Sequence, residues 1–137
     1  MNKINCILLV DDNPADNLFH SIMIKESGIC SQIKIVNDGE EALAYLEKSR
    51  QAENAEDYPE PQIIFLDINM PRMNGFEFLE AYSKMENRSK KSILITMLTT
   101  SINTDDRDKA LSYEIVSEFH NKPINVPMLH SLVEKYF

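Results

Sequence analysis

The sequence predicts an α/β fold: a doubly wound, five-stranded parallel sheet covered by helices on both faces. Three observations predict it. Short strand-like runs, wholly apolar in the first and third, alternate with segments of helical periodicity five times along the 137 residues. Such runs are what strands buried on both faces require, and parallel strands need helical crossovers between them. Aspartates, a threonine and a lysine end those runs, where open parallel sheets bind ligands.

The first run, Ile7-Leu8-Leu9-Val10, stops abruptly at Asp11 and Asp12. A helix follows, with Pro14 near its first turn and Leu18, Phe19, Ile22 and Met23 at helical spacing. Gly28 is its expected C-terminal stop. Ile33-Lys34-Ile35-Val36 reads as the second strand, Asp38-Gly39 as a turn, and Ala42, Leu43 and Leu46 as the stripe of the second helix. Residues 51–61 are polar, acidic and hold two prolines, which predicts an exposed loop. Ile63-Ile64-Phe65-Leu66 is the third strand and ends at Asp67. Pro71 and Gly75 precede a helix carrying Phe76, Leu79 and Tyr82. Ile93 to Leu98 is the fourth strand, and Thr104-Asp105-Asp106 starts a fourth helix whose apolar content is chiefly Ala110 and Leu111. Ile115 to Phe119 is the fifth strand. Val126, Leu129, Leu132, Val133 and Tyr136 line one side of the last helix.

The length suits one domain, 1–137, with one continuous core. Acidic residues outnumber basic ones 22 to 14, for a net charge of -8, which gives no electrostatic reason to bind nucleic acid or anionic lipid directly. No apolar run approaches the roughly 20 residues that span a bilayer, and residues 1–5 lack the apolar stretch of a signal peptide. A cytoplasmic protein is expected. Cys6 and Cys30 lie outside metal or redox spacing and read as small buried hydrophobes.

If the first and third strands are neighbours, Asp11, Asp12 and Asp67 converge. Clustered carboxylates repel one another, and a divalent cation resolves this. Oxygen-only ligands favour Mg2+ or Mn2+. A carboxylate is also a nucleophile toward phosphorus, with Lys122 as a second positive charge and Thr99 as a hydroxyl donor. Each piece alone has a plainer reading. Paired aspartates also make turns and helix caps, Thr99 alone is an ordinary strand-end residue, and Lys122 alone is a solvated charge. Their placement at the ends of different strands, in an order that one fold explains, is more specific.

Four motifs carry a family resemblance over essentially the whole chain. They are Leu8-Leu9-Val10-Asp11-Asp12, then Phe65-Leu66-Asp67-Ile68-Asn69-Met70-Pro71-Arg72-Met73-Asn74-Gly75, then Met97-Leu98-Thr99-Thr100-Ser101, then Phe119-His120-Asn121-Lys122-Pro123. The chain resembles the receiver domain of two-component response regulators, in a stand-alone, chemotaxis-regulator-like form with a (βα)5 flavodoxin-like fold. The resemblance implies that Asp67 accepts a phosphoryl group from a sensor histidine kinase or a histidine phosphotransfer protein. It implies Mg2+, with Mn2+ as a substitute, bound by Asp12 and Asp67, by the Asn69 backbone carbonyl, and by Asp11 largely through water. Thr99 and Lys122 would contact the phosphoryl group, and Thr99 with Phe119 would form the switch. The last position follows the final helix directly, so the output is expected in another protein of unknown identity. A monomer or a weak homodimer is expected.

Further expectations follow from the resemblance. The Lys122-Pro123 bond is cis. Asn69 and Ser101 occupy positions that tune phosphoryl lifetime. The long loop before the third strand is similar to those of regulators associated with phytochrome-like or other hybrid kinases, and to inert insertions. Ser112-Tyr113-Glu114 stands where many receivers carry glycine. His20, His120 and His130 form no ligand set.

Two rival functions remain at this level. A metal-dependent phosphatase of the haloacid dehalogenase type uses Asp-x-Asp, but Asp67 is followed by Ile68-Asn69, which lacks the acid. A pseudo-receiver binds partners without phosphorylation, and is disfavoured by the presence of Asp12, Asp67, Thr99 and Lys122 together.

Overall fold

The computed structural model describes residues 4–51, 53, 56–85, 93–100 and 103–137. Strands and helices alternate in the order β1 (Ile7–Val10), α1 (Pro14–Ser27), β2 (Ile33–Val36), α2 (Gly39–Ser49), β3 (Ile63–Asp67), α3 (Gly75–Ser83), β4 (Leu94–Thr99), α4 (Thr104–Leu111), β5 (Val116–Asn121) and α5 (Val126–Tyr136). All strand pairs are parallel, in the order β2-β1-β3-β4-β5. The predicted doubly wound sheet is therefore present.

Side-chain alternation splits the core into two layers. Leu8, Val10, Ile64, Leu66, Ile95 and Met97 face α2, α3 and α4, where they meet Leu46, Phe76, Phe78, Leu79 and Ala110. Ile7, Leu9, Ile63, Phe65, Leu94 and Leu98 face α1 and α5, where they meet Ile24, Leu129, Leu132 and Val133. Cys6 and Cys30 are buried and unpaired with each other, as expected.

The helix ends follow local chemistry. Asn13, Asp38, Asn74, Asn103 and Asn125 each cap a helix by accepting a backbone N–H. Asp38-Gly39 is thus not a free turn but the cap and first residue of α2. The start of α4 is set by Asn103, one residue before the predicted polar run. Gly28 stops α1 with φ 73°, a conformation that suits glycine. The Lys122-Pro123 bond is cis.

Two expectations change. In α1, Leu18, Phe19 and Ile22 are exposed, at 65, 44 and 43%, whereas Asn17, His20 and Ile24 are buried. Helical spacing alone does not say which stripe faces the sheet, and here the more polar one does. The described part of 51–61, which leaves out 52, 54 and 55, is not simply an exposed connection. Tyr58 packs edge-on against Tyr45 of α2, whose hydroxyl donates to the Pro59 carbonyl at 2.7 Å.

Candidate functional site

The site arises from strand register. Val10 of β1 pairs with Leu66 of β3, so Asp11 and Asp67 are each the next residue at neighbouring strand ends. β1 lies between β2 and β3, so the chain reverses direction across the sheet at the β1/β3 boundary. That boundary is where open α/β sheets form their ligand crevice. On the other side, Thr99 ends β4 opposite Asn121, and the Lys122 N–H donates to the Thr99 carbonyl at 2.9 Å.

Asp11, Asp12 and Asp67 converge as expected. One carboxylate oxygen from each lies within 4.8 Å of the others, and among the described residues this is the group able to hold a metal ion. Asp11 and Asp67 are buried and Asp12 is exposed, so the group opens to solvent on one side. Asp11 is held from α1: the Asn13 N–H donates to its Oδ1 at 3.0 Å, and the Asn17 amide donates to its carbonyl at 2.9 Å.

Lys122 enters the same cluster. Its ammonium donates to Asp11 Oδ2 at 2.6 Å and lies 3.5 Å from Asp67 Oδ1. Its side chain is 8% exposed, which contradicts the plain reading of a solvated charge. Burial alone would lower its pKa, but hydrogen bonds to Asp11 and Asp16 and the charges of Asp67 and Asp11 outweigh burial and hold it above the ordinary lysine value. Asp67 is pushed the other way from a normal carboxylate. Burial first, then the charge of Asp11, raise its pKa to about 6, against the opposing pull of Lys122 and the Ile68 backbone. A divalent cation would reverse that balance by supplying the missing positive charge. The donor set is therefore all oxygen, over-acidic and partly open, which fits Mg2+ or Mn2+ with water completing the shell.

Thr99 is buried at the end of β4, and Phe119 is half-buried, opposite Met97 and against the α2–α4 side of the core. Asn69 is exposed, two residues beyond β3. Ser101 lies outside the described residues. The histidines are scattered as expected: His20 is buried, His120 pairs with Glu118 at 2.7 Å, and His130 sits 2.8 Å from the Ser27 carbonyl.

Sequence reasoning missed Asp16, whose Oδ2 accepts from Lys122 at 2.9 Å. It also missed Arg72, which pairs with Asp38 and lies 3.2 Å from Glu41. The only sequence signal for Asp16 was a third aspartate four residues after Asp12.

A family model for the response regulator receiver domain matches residues 7–134. The chain belongs to that family. The receiver is 35% identical over 134 residues to the response regulator Rcp1 of Synechocystis, spanning 97% of this chain and 86% of that protein. The Mn2+-bound form of response regulator Rcp1 superposes with a TM-score of 0.71 at 33% identity, covering 96% of this chain and 90% of that one. A two-component response regulator from Cytophaga hutchinsonii gives a TM-score of 0.86 at 28% identity, covering 98% and 97% of the two chains. The phosphorylated cyanobacterial phytochrome response regulator RcpA gives 0.72 at 31% identity, covering 96% and 89%. Receiver domains act in two-component signalling by phosphorylation on aspartate, and they take the phosphoryl group from histidine kinases. Among the described residues no helix is long and apolar enough to cross a membrane.

Proposed function

We propose that Asp67 is the phosphoryl acceptor and that the chain acts as one receiver unit over 1–137. The observation that carries this reading is the convergence of Asp11, Asp12 and Asp67 with the Lys122 ammonium at 3.5 Å from Asp67. Mg2+, or Mn2+ as in the solved form of Rcp1, would be held by Asp11, Asp12, Asp67 and the backbone carbonyl of Asn69. When bound, the cation supplies charge neutralisation between the acceptor carboxylate and the incoming phosphoryl oxygens.

The chain's own residues do the rest. Asp67 attacks as a carboxylate, so no base is needed. Lys122 offers a second, mobile positive charge from a largely buried side chain. Thr99, buried at the adjacent strand end, would donate its hydroxyl to a phosphoryl oxygen once one is present. Movement of Thr99 would open space for Phe119 to turn inward, which changes the surface of α4, β5 and α5. The chemistry is confined to the chain's own phosphorylation and dephosphorylation.

The donor is a sensor histidine kinase or a histidine phosphotransfer protein. Similarity to a phytochrome response regulator makes a phytochrome-type kinase the first donor to try. The output is another protein, met in the cytoplasm, by a monomer or a weak homodimer of the α4, β5 and α5 surface. A monomeric elution profile with and without a phosphoryl analogue would rule out the dimer.

The test is intact-protein mass after incubation with acetyl phosphate and Mg2+. A gain of about 80 Da, the mass of one phosphoryl modification, is expected for the wild type. The gain is expected to vanish for Asp67→Asn and in the metal-free control. A gain that persists in Asp67→Asn would move the acceptor elsewhere.

A further inference from the structure

Lys122 has more acidic company than the acceptor site requires. An ammonium has three protons to donate. Here it donates to Asp11 Oδ2 at 2.6 Å and to Asp16 Oδ2 at 2.9 Å, while Asp67 Oδ1 is farther, at 3.5 Å. Asp16 stands in the first turn of α1 and lies outside the carboxylate group able to hold a metal. Its side chain is 35% exposed, against 8% for Lys122, and it lies closer to the ammonium than Asp67 does.

We propose that Asp16 is a positioning residue that limits how far Lys122 is available to the phosphoryl group on Asp67. The inference rests on the reading of Asp67 as acceptor. In that step an oxygen of Asp67 attacks phosphorus and a new O–P bond forms. The donor's P–N bond in a phosphohistidine, or its P–O bond in acetyl phosphate, breaks, and the electron pair leaves with the donor. The aspartyl phosphate carries more negative charge than the carboxylate it replaces, so Lys122 is drawn toward it and must close the 3.5 Å gap. Asp16 opposes that movement by holding one of the ammonium protons. Asp11 cannot play the same part, because a bound cation would compete for its oxygens. Nor can Asp16 follow the lysine inward: its backbone N–H is tied to the Asn13 cap, and α1 is pinned to the sheet by the bond from Asn17 to the Asp11 carbonyl.

The experiment measures the rate of phosphorylation by acetyl phosphate with saturating Mg2+, read by intact mass. It compares the wild type, Asp16→Asn, Asp16→Glu, Lys122→Ala and the double variant Asp16→Asn with Lys122→Ala. Asp16→Asn is expected to raise the rate roughly threefold to fivefold, the upper end of the scale of a partly exposed ion pair expressed as a rate. Asp16→Glu keeps the contact and is expected to stay within about twofold of the wild type on the same scale. In the Lys122→Ala background the Asp16 substitution is expected to change nothing, because its effect runs through the lysine. An increase that persists there would assign the effect to the bulk charge met by an anionic donor and overturn the proposal. A wild-type rate for Asp16→Asn would overturn it too. Absence of any phosphoryl gain on the wild type would overturn the reading of Asp67 itself, and this inference with it. In metal-free protein, nitrogen-15 NMR should show faster proton exchange of the Lys122 ammonium in Asp16→Asn, and an unchanged signal counts against the proposal.

Discussion

At Asp67, burial next to Asp11 places a carboxylate where its charged form is disfavoured, with a pKa raised from 3.8 to about 6. The folded protein therefore binds that proton more tightly than the unfolded chain. Its stabilising effect is complete at low pH and is lost as pH rises from about 4 through about 6. In metal-free protein this group should lower stability by roughly 2–3 kcal/mol across that window, at about 1.4 kcal/mol per pKa unit. Asp67→Asn removes the titration, so urea denaturation should find the variant more stable than the wild type at pH 7.5 and nearly equal near pH 4. Equal stabilities at pH 7.5 would mean that Lys122 fully compensates the buried charge. Thr96 offers a second case. It is wholly buried in β4 and, among the described residues, its hydroxyl finds no hydrogen-bond partner. Thr96→Val should stabilise the protein by about 1 kcal/mol, since an orphaned buried hydroxyl costs about that much or more. A rise in the urea midpoint checks it.

Elements hold the loop after Asp67 from two directions. Gly75, the first residue of α3, packs against the backbone of Asp67 and Ile68, and an added Cβ would strike the Asp67 carbonyl. Backbone cannot yield as a flexible side chain can. Gly75→Ala should therefore cost about 1–3 kcal/mol, the usual scale of overpacking, and also weaken Mg2+ binding in a calorimetric titration. Loss of stability with unchanged Mg2+ affinity would show that the strain is absorbed in α3 and not at the site. From the other side, Arg72 reaches from the β3–α3 connection to Asp38, which is fully buried at the start of α2, and the Met73 carbonyl accepts from Gly39 at 2.9 Å. Asp38→Ala removes both a helix cap and the buried one of the carboxylates that Arg72 meets, and should cost about 1–2 kcal/mol in urea denaturation. Helix α4 is the loosest element by packing. Ala110 is its one buried residue, and it is tied to α3 by Lys109 over the Phe76 ring and by Tyr113 stacked on that ring. Its amides should exchange fastest among the five helices in hydrogen-exchange measurements.

For the whole molecule, three carboxylates that repel one another before a cation arrives make metal binding and stability one equilibrium. A ligand at about 100 times its dissociation constant stabilises by about 2.7 kcal/mol. Saturating Mg2+ should raise the melting temperature of the wild type, chelation should reverse the gain, and Asp12→Asn should reduce it. A melting temperature indifferent to Mg2+ would count against a cation at this cluster. The sheet order makes such a site possible, because it brings the ends of β1 and β3 together and sets the Thr99 and Lys122 strand ends beside them.

The sequence by itself determined the alternation of five strands with five helices, because the doubly buried central strands β1 and β3 are continuous apolar runs whose polar residues come at their ends, and the edge strands β2 and β5 keep enough apolar residues to be read between helices. It also determined Asp11, Asp12, Asp67, Thr99 and Lys122 as residues of interest, since each motif lies at a strand end and needs only neighbouring strands to converge. Fine boundaries were less legible. β4 runs to Thr99 and β5 to Asn121, because pairing between them continues past the last apolar residue. Tertiary structure alone decided which stripe of α1 faces inward: Asn17 and His20 are buried while Leu18, Phe19 and Ile22 are not. A helical repeat fixes spacing, whereas its rotation depends on what the sheet and α5 present. The same rotation turned Asp16 toward Lys122, 106 positions away in sequence. Contacts of that range carry no local pattern, so the ion pair that we place in control of Lys122 could be seen only once the chain was folded.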